Sequence, residues 1–219
     1  MNQRISAAAT KSGRSDHIHL VAVTKTIDID RIREAISAGA TDIGENKAQE
    51  LSDKMKTLGN PVKYHMIGHL QTNKVKYIAE NIHLIHSLDT ISLAEEIDKR
   101  GRKINKTINA LVQVNISGEE TKFGISPEST IEFLESVLGF RNLKIKGLMT
   151  IAPFVGNDYT LRKIFSGMYE LGEKIKALNY SELEFEYLSM GMTSDFEIAI
   201  EEGSNMVRVG TGIFGKRDY

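Results

Sequence analysis

Lys25 closes a short apolar run, Leu20-Val21-Ala22-Val23-Thr24-Lys25. Four consecutive apolar residues, two of them β-branched, read as a strand buried on both faces. An ammonium is costly to bury without a partner, so a lysine at the end of such a strand has a reason to be there. In a parallel barrel the C-terminal strand ends open into the active-site mouth. A lysine held there with a lowered pKa offers a free amine, which attacks an aldehyde and forms a Schiff base. The plain alternative is a lysine whose head snorkels into water from a strand end.

Two later segments carry the chemistry of anion binding. Ser189 with Gly191, and Gly210-Thr211-Gly212, combine hydroxyls with glycines, where backbone N–H groups can approach an anion. Residues 193–202 read as a helix whose first amides point into the same region. Loops after the last two strands are a recurring phosphate site in barrels, although tight glycine turns are common without any ligand. Arg208 lies on or just after the last strand and keeps its charge, so inside a barrel it must pair. Glu202 or Asp195 is the plain partner. A ligand ring nitrogen is the chemical one, and an arginine leaves that nitrogen unprotonated. A bound pyridine ring is then a weaker electron sink.

Other polar residues give less. On a strand, His65 and His69 have α-carbons roughly 13 Å apart at about 3.3 Å per residue, too far to share a metal. Lys74, Lys76 and Lys122 read as solvated surface, and Met149, Met190 and Met192 as packing near the mouth.

The elements that must position these groups alternate along the chain. Strand patterns cover residues 19–24, 42–44, 63–67, 84–87, 109–114, 144–148, 184–189 and 206–209. Between them apolar residues recur at spacings of three and four, as in Ile29, Ile32 and Ile36 or Ile164, Met168, Leu171 and Ile175. Asp28 and the Ser126-Pro127-Glu128 stretch read as helix starts, and Gly39 and Gly101 as C-cap glycines. Eight strands alternating with helices predict a single α/β domain over residues 1–219, a (β/α)8 TIM-type barrel with an extra N-terminal helix. No G-x-G-x-x-G follows the first strand, which argues against an open dinucleotide-binding sheet. Residues 210–219 are too few for a full eighth helix, and a helix over residues 1–12 is placed to cover that gap.

Composition bounds the function. The 219 residues are 41% hydrophobic with net charge −1, which supports a buried core and gives no global basic field for nucleic acid. Cysteine is absent, excluding thiolate nucleophiles and Cys-ligated metals. Residues 1–16 lack the apolar core of a secretory signal, and no stretch reaches the roughly 18 apolar residues of a membrane span. A cytoplasmic, monomeric protein is the expectation.

Taken together, Ala22-Val23-Thr24-Lys25, Gly44-Glu45-Asn46, residues 65–74, Gly147-Leu148-Met149-Thr150, Leu188-Ser189-Met190-Gly191-Met192 and Arg208-Val209-Gly210-Thr211 resemble the pyridoxal phosphate homeostasis proteins, PLP-binding proteins of the YggS/PROSC type. The resemblance runs from about residue 20 to the end. It implies a barrel like the N-terminal domain of alanine racemase that holds pyridoxal 5′-phosphate (PLP). Lys25 matches the Schiff-base lysine and Arg208 the arginine facing the pyridine nitrogen. Ser189, Gly210 and Thr211 match phosphate-binding positions, supported by Gly191 and Met192, and Asn46 matches a residue beside the ring. Thr24 departs from the serine often found before that lysine. The family is associated with vitamin B6 and amino-acid homeostasis without an established reaction, so the resemblance implies a carrier, with PLP-dependent apo-enzymes as acceptors. Two alternatives stand beside it, a weak PLP-dependent racemase and a cofactor-free Schiff-base aldolase. Two-base racemisation needs a second acid/base group, and no tyrosine falls at an obvious strand end.

Overall fold

The computed structural model describes residues 1–119, 122–153 and 157–215. Eight parallel strands close into a barrel in sequence order: β1 (His19–Val23), β2 (Asp42–Glu45), β3 (Lys63–Met66), β4 (Ile82–Leu88), β5 (Ile108–Gln113), β6 (Leu143–Met149), β7 (Tyr187–Ser189) and β8 (Met206–Val209). The last strand pairs back onto the first, from His19↔Met206 to Ala22↔Val209. Parallel neighbours need crossovers, and helices supply them: α2 (Ile29–Ser37), α3 (Ala48–Leu58), α4 (Ile91–Ile104), α5 (Thr130–Val137), α6 (Asp158–Ala177) and α7 (Phe196–Glu201). A 3₁₀ turn at Thr72–Tyr77 stands between β3 and β4. The chain is thus a (β/α)8 TIM-type barrel.

Two cores follow from strand alternation, because successive side chains point to opposite faces. The outer one packs residues such as Ile43, Tyr64, Ile85 and Val112 against the helices. The inner one joins Val21, Val23, Ile67, Leu84, Leu111, Met149 and Met206, which come from five strands and the β3 end and meet only inside the barrel. A third cluster closes the seam. Ile5, Ala8 and Ala9 of α1 (Asn2–Lys11) pack on Phe196, Ile200, Val207 and Val209. The last element among the described residues is a one-turn α8 (Thr211–Phe214), and through this cluster α1 covers the gap as expected.

Several expected boundaries shift for clear reasons. Asp28 caps α2 by accepting from the Arg31 N–H at 2.9 Å, as read. Gly39 follows the cap of that helix with φ +99°, a conformation glycine adopts freely. Gly101 is no cap: α4 continues through it to a left-handed Asn105. A Cβ at Gly101 would stand 2.7 Å from the Lys106 carbonyl oxygen, so close packing explains this glycine. The helix expected over 193–202 begins only at Phe196, because the Asp195 carboxylate caps the Met192 N–H and holds a turn open before it. Likewise Ser126 organises a turn, and α5 starts at Thr130.

Candidate functional site at the barrel mouth

Lys25 stands two residues beyond the end of β1 and is half-buried. Its two neighbours are pinned by one cluster. The Lys54 ammonium, from α3, donates to the Thr24 carbonyl at 2.6 Å, to Glu45 Oε1 at 2.5 Å and to Glu50 Oε1 at 2.8 Å. Thr24 donates its hydroxyl to the same Glu45 oxygen, and Glu50 accepts the Thr26 N–H at 2.8 Å. Thr26 has φ +63°, a costly conformation for a β-branched residue, and this bond helps hold it. Both flanking carboxylates are therefore committed to Lys54, and Lys25 is left to reach the mouth. Burial pushes the Glu45 carboxyl up, against the pull of Lys54 and Thr24.

Arg208 projects from β8 and is almost fully buried. Its Nη1 donates to Ser189 Oγ at 2.6 Å and its Nη2 to the Thr150 carbonyl at 2.8 Å. Neither acceptor is charged. Burial lowers its pKa to about 10, while the nearby Asp195 favours the cation. Beyond Ser189 the polar contacts continue through the barrel. His86 Nδ1 lies 3.1 Å from Ser189 Oγ, His86 Nε2 2.9 Å from His65 Nδ1, and His65 Nε2 2.9 Å from Asp42 Oδ1. Burial opposes ionisation of Asp42, yet hydrogen bonds from His65 and Thr41 hold its carboxyl at about 2. Burial pushes His65 down and His86 well below the usual histidine range.

These histidines give the fold an acid sensitivity with a definite sign. Their folded pKa values lie below the ordinary ~6.5, so the unfolded chain takes up protons first as pH falls. Stability is full above about pH 6.5 and declines below it. His83, lowered to about 4 mainly by burial, marks the lower end of its own window. Urea midpoints should fall steadily from pH 7 to pH 4, and a flat profile would contradict neutral burial of these rings.

The loops after β7 and β8 are stitched together. Arg208 donates its backbone N–H to the Gly191 carbonyl at 3.0 Å, and Gly191 has φ +95°. A Cβ there would lie 2.6 Å from that of Ala199. The amides of Gly210 and Gly212 both point at Thr193 Oγ1, each at 3.4 Å. Two long bonds converging on one oxygen make a place where an anionic oxygen would accept better. Thr211 is exposed beside them and Met192 half-exposed.

The structure therefore brings Gly191, Met192, Gly210 and Thr211 together, with Arg208 just inside the barrel. Ser189, at the end of β7, accepts from Arg208 and lies within hydrogen-bond reach of His86. Asn46 is exposed on the loop after β2, where the missing Cβ of Gly68 admits its backbone. Thr193, Lys54, His86 and Asp42 were not singled out from the sequence. Only Thr193 carried a signal there, a hydroxyl two residues beyond Gly191. Across the mouth His69 stacks flat on Phe123, with centroids 3.9 Å apart, and stands 3.9 Å from Asp89. Among the described residues no cluster of His, Asp and Glu suits a metal, and no helix is long and apolar enough to cross a membrane. A cavity of about 450 Å³ opens at the opposite end of the strands, between α6 and the starts of β7 and β8. None of the candidate residues lines it.

The closed barrel that carries this strand-end lysine, buried arginine and glycine-rich last loops belongs to the alanine racemase N-terminal-domain class. The family model "Alanine racemase, N-terminal domain" matches residues 1–218. The alanine racemase of Clostridium difficile shares the fold at TM-score 0.73 and 14% identity, over 99% of this chain and 60% of that one. Within that class the chain belongs to the pyridoxal phosphate homeostasis proteins. It is 42% identical to the one from Aquifex aeolicus, over 99% of this chain and 95% of the relative. PipY of Synechococcus elongatus, solved with PLP bound, superposes at TM-score 0.84 with 29% identity, over 97% and 99% of the two chains.

Proposed function

We propose that this protein binds PLP, holds it as a Schiff base on Lys25, and serves PLP and amino-acid homeostasis by carrying the cofactor rather than turning over substrate. The observation that carries this reading is Arg208. It is a buried guanidinium that, among the described residues, is bonded to neutral acceptors, which leaves N–H groups for a ring nitrogen. The remaining residues suit the rest of the molecule. Lys25 would supply the amine for the aldehyde carbon, the new C=N bond forming with loss of water. The amides of Gly210 and Gly212, with Thr193 and Thr211, suit the phosphate, and Gly191 and Met192 shape that loop. Asn46, exposed after β2, would stand beside the ring. PLP supplies an aldehyde and an electron sink. Opposite Arg208 that sink is muted, which fits a carrier. We read the chain as one domain acting as a monomer in the cytoplasm, with PLP-dependent apo-enzymes as acceptors.

The test is transfer against turnover. Loaded protein mixed with the apo form of a PLP enzyme should restore that enzyme's activity. It should exchange the α-proton of alanine into deuterated water no faster than free PLP does. Rapid exchange without transfer would favour a racemase.

The phosphate assignment has its own check. Thr193→Val combined with Thr211→Ala should weaken PLP retention about tenfold, or ~1.4 kcal/mol. Ser189→Ala should leave phosphate affinity intact and shift the absorption of bound PLP through Arg208. Unchanged retention in the double variant would remove both threonines from the site.

A further inference from the structure

We propose that Asp42, His65, His86 and Ser189 form a one-way hydrogen-bond chain that fixes the Arg208 guanidinium in a single orientation at the mouth. The direction follows from valence. An ionised carboxylate only accepts, so the 2.9 Å contact requires His65 Nε2 to carry a proton. Burial keeps His65 neutral, which leaves its Nδ1 bare. The 2.9 Å contact between the rings then requires the proton on His86 Nε2. His86 is also neutral, so its Nδ1 accepts, and the donor within reach is the Ser189 hydroxyl at 3.1 Å. With its one proton used, Ser189 presents only lone pairs to Arg208, which donates at 2.6 Å.

Each group thus donates toward Asp42, and a cation and an anion terminate the chain. Reversing any link would place two protons or two lone pairs face to face in a buried interior, at the cost of a buried unmade hydrogen bond. His65 and His86 are positioning residues: they touch no reacting atom and act through Ser189. Their relevance to cofactor chemistry rests on the placement of Arg208 at the ring nitrogen.

The deciding measurement is long-range ¹H–¹⁵N correlation of histidine side chains in the unloaded protein near pH 7. His65 and His86 should both be neutral and protonated on Nε2. A proton on His86 Nδ1, or an imidazolium at either ring, would overturn the chain. Asp42→Asn offers both a donor and an acceptor, so His86 should then show both tautomers. The absorption of bound PLP should shift in that variant while affinity for inorganic phosphate stays unchanged. A single Nε2 tautomer in Asp42→Asn would show that Asp42 does not set the direction. If wild-type protein fails to bind PLP, the functional reading falls while the tautomer pattern still decides the chain.

Discussion

Lys54→Met should lose about 3–5 kcal/mol of folding stability, the usual cost of leaving one partner of a buried ion pair alone. The side chain of Glu45 is fully buried, and its Oε2 already has no partner among the described residues. Without Lys54 the carboxylate would keep only the Thr24 hydroxyl. Protonation relieves that situation, and burial already pushes Glu45 up. The loss should therefore be smaller at pH 5, nearer to protonation of Glu45, and larger at pH 8, where the carboxylate must stay ionised. Urea unfolding at the two pH values checks both size and trend. A loss below about 1 kcal/mol at pH 8 would mean that the ion pair is poorly desolvated. The variant also removes the bond to the Thr24 carbonyl and leaves Glu50, which holds the Thr26 N–H, without its ammonium partner, so cofactor capture should slow even where the fold survives.

With Lys25→Ala, an absorption band near ~420 nm should disappear and PLP retention should fall at least about a hundredfold, or ~2.7 kcal/mol. The amine is the only covalent anchor in the proposed site. The amides of Gly210 and Gly212 remain, so weak reversible binding should persist through the phosphate. Borohydride should fix PLP to one peptide containing Lys25 in the wild type and to none in the variant. A band that survives the substitution would place the Schiff base elsewhere and sink the assignment.

The barrel was legible because parallel strands buried on both faces read as short apolar runs, and β1, β3 and β8 match their expected spans within a residue or so. β7 was expected from residue 184 but starts at Tyr187. Glu184 instead pairs with Lys144 and Lys146 on the outside. α3 was expected only from the alternation of elements, with no residues assigned, since Leu51 and Met55 are sparse among charged neighbours, and Lys54 did not stand out. Of the candidate site, Lys25, Arg208 and the last loops showed themselves as unusual residues at strand ends. The chain from Asp42 to Ser189 could not show itself this way. His86 and Ser189 are 103 residues apart, and only closure of the barrel brings β4 and β7 across its interior into contact.

The separation of two cores has a consequence for tolerance to change. The outer layer, where Ile43, Tyr64 and Ile85 meet helices, is ordinary apolar packing, and volume-conserving swaps there should be absorbed. The inner layer pairs an apolar set around Val21 and Met149 with a polar thread whose members satisfy one another. Exchanging a single member of that thread strands its neighbours, so the thread can change only as a unit. In a library of variants selected for folding alone, substitutions should accumulate on the helix-facing side of each strand. The lumen-facing side of β2, β3, β4, β7 and β8 should stay close to its present sequence even before cofactor binding is selected.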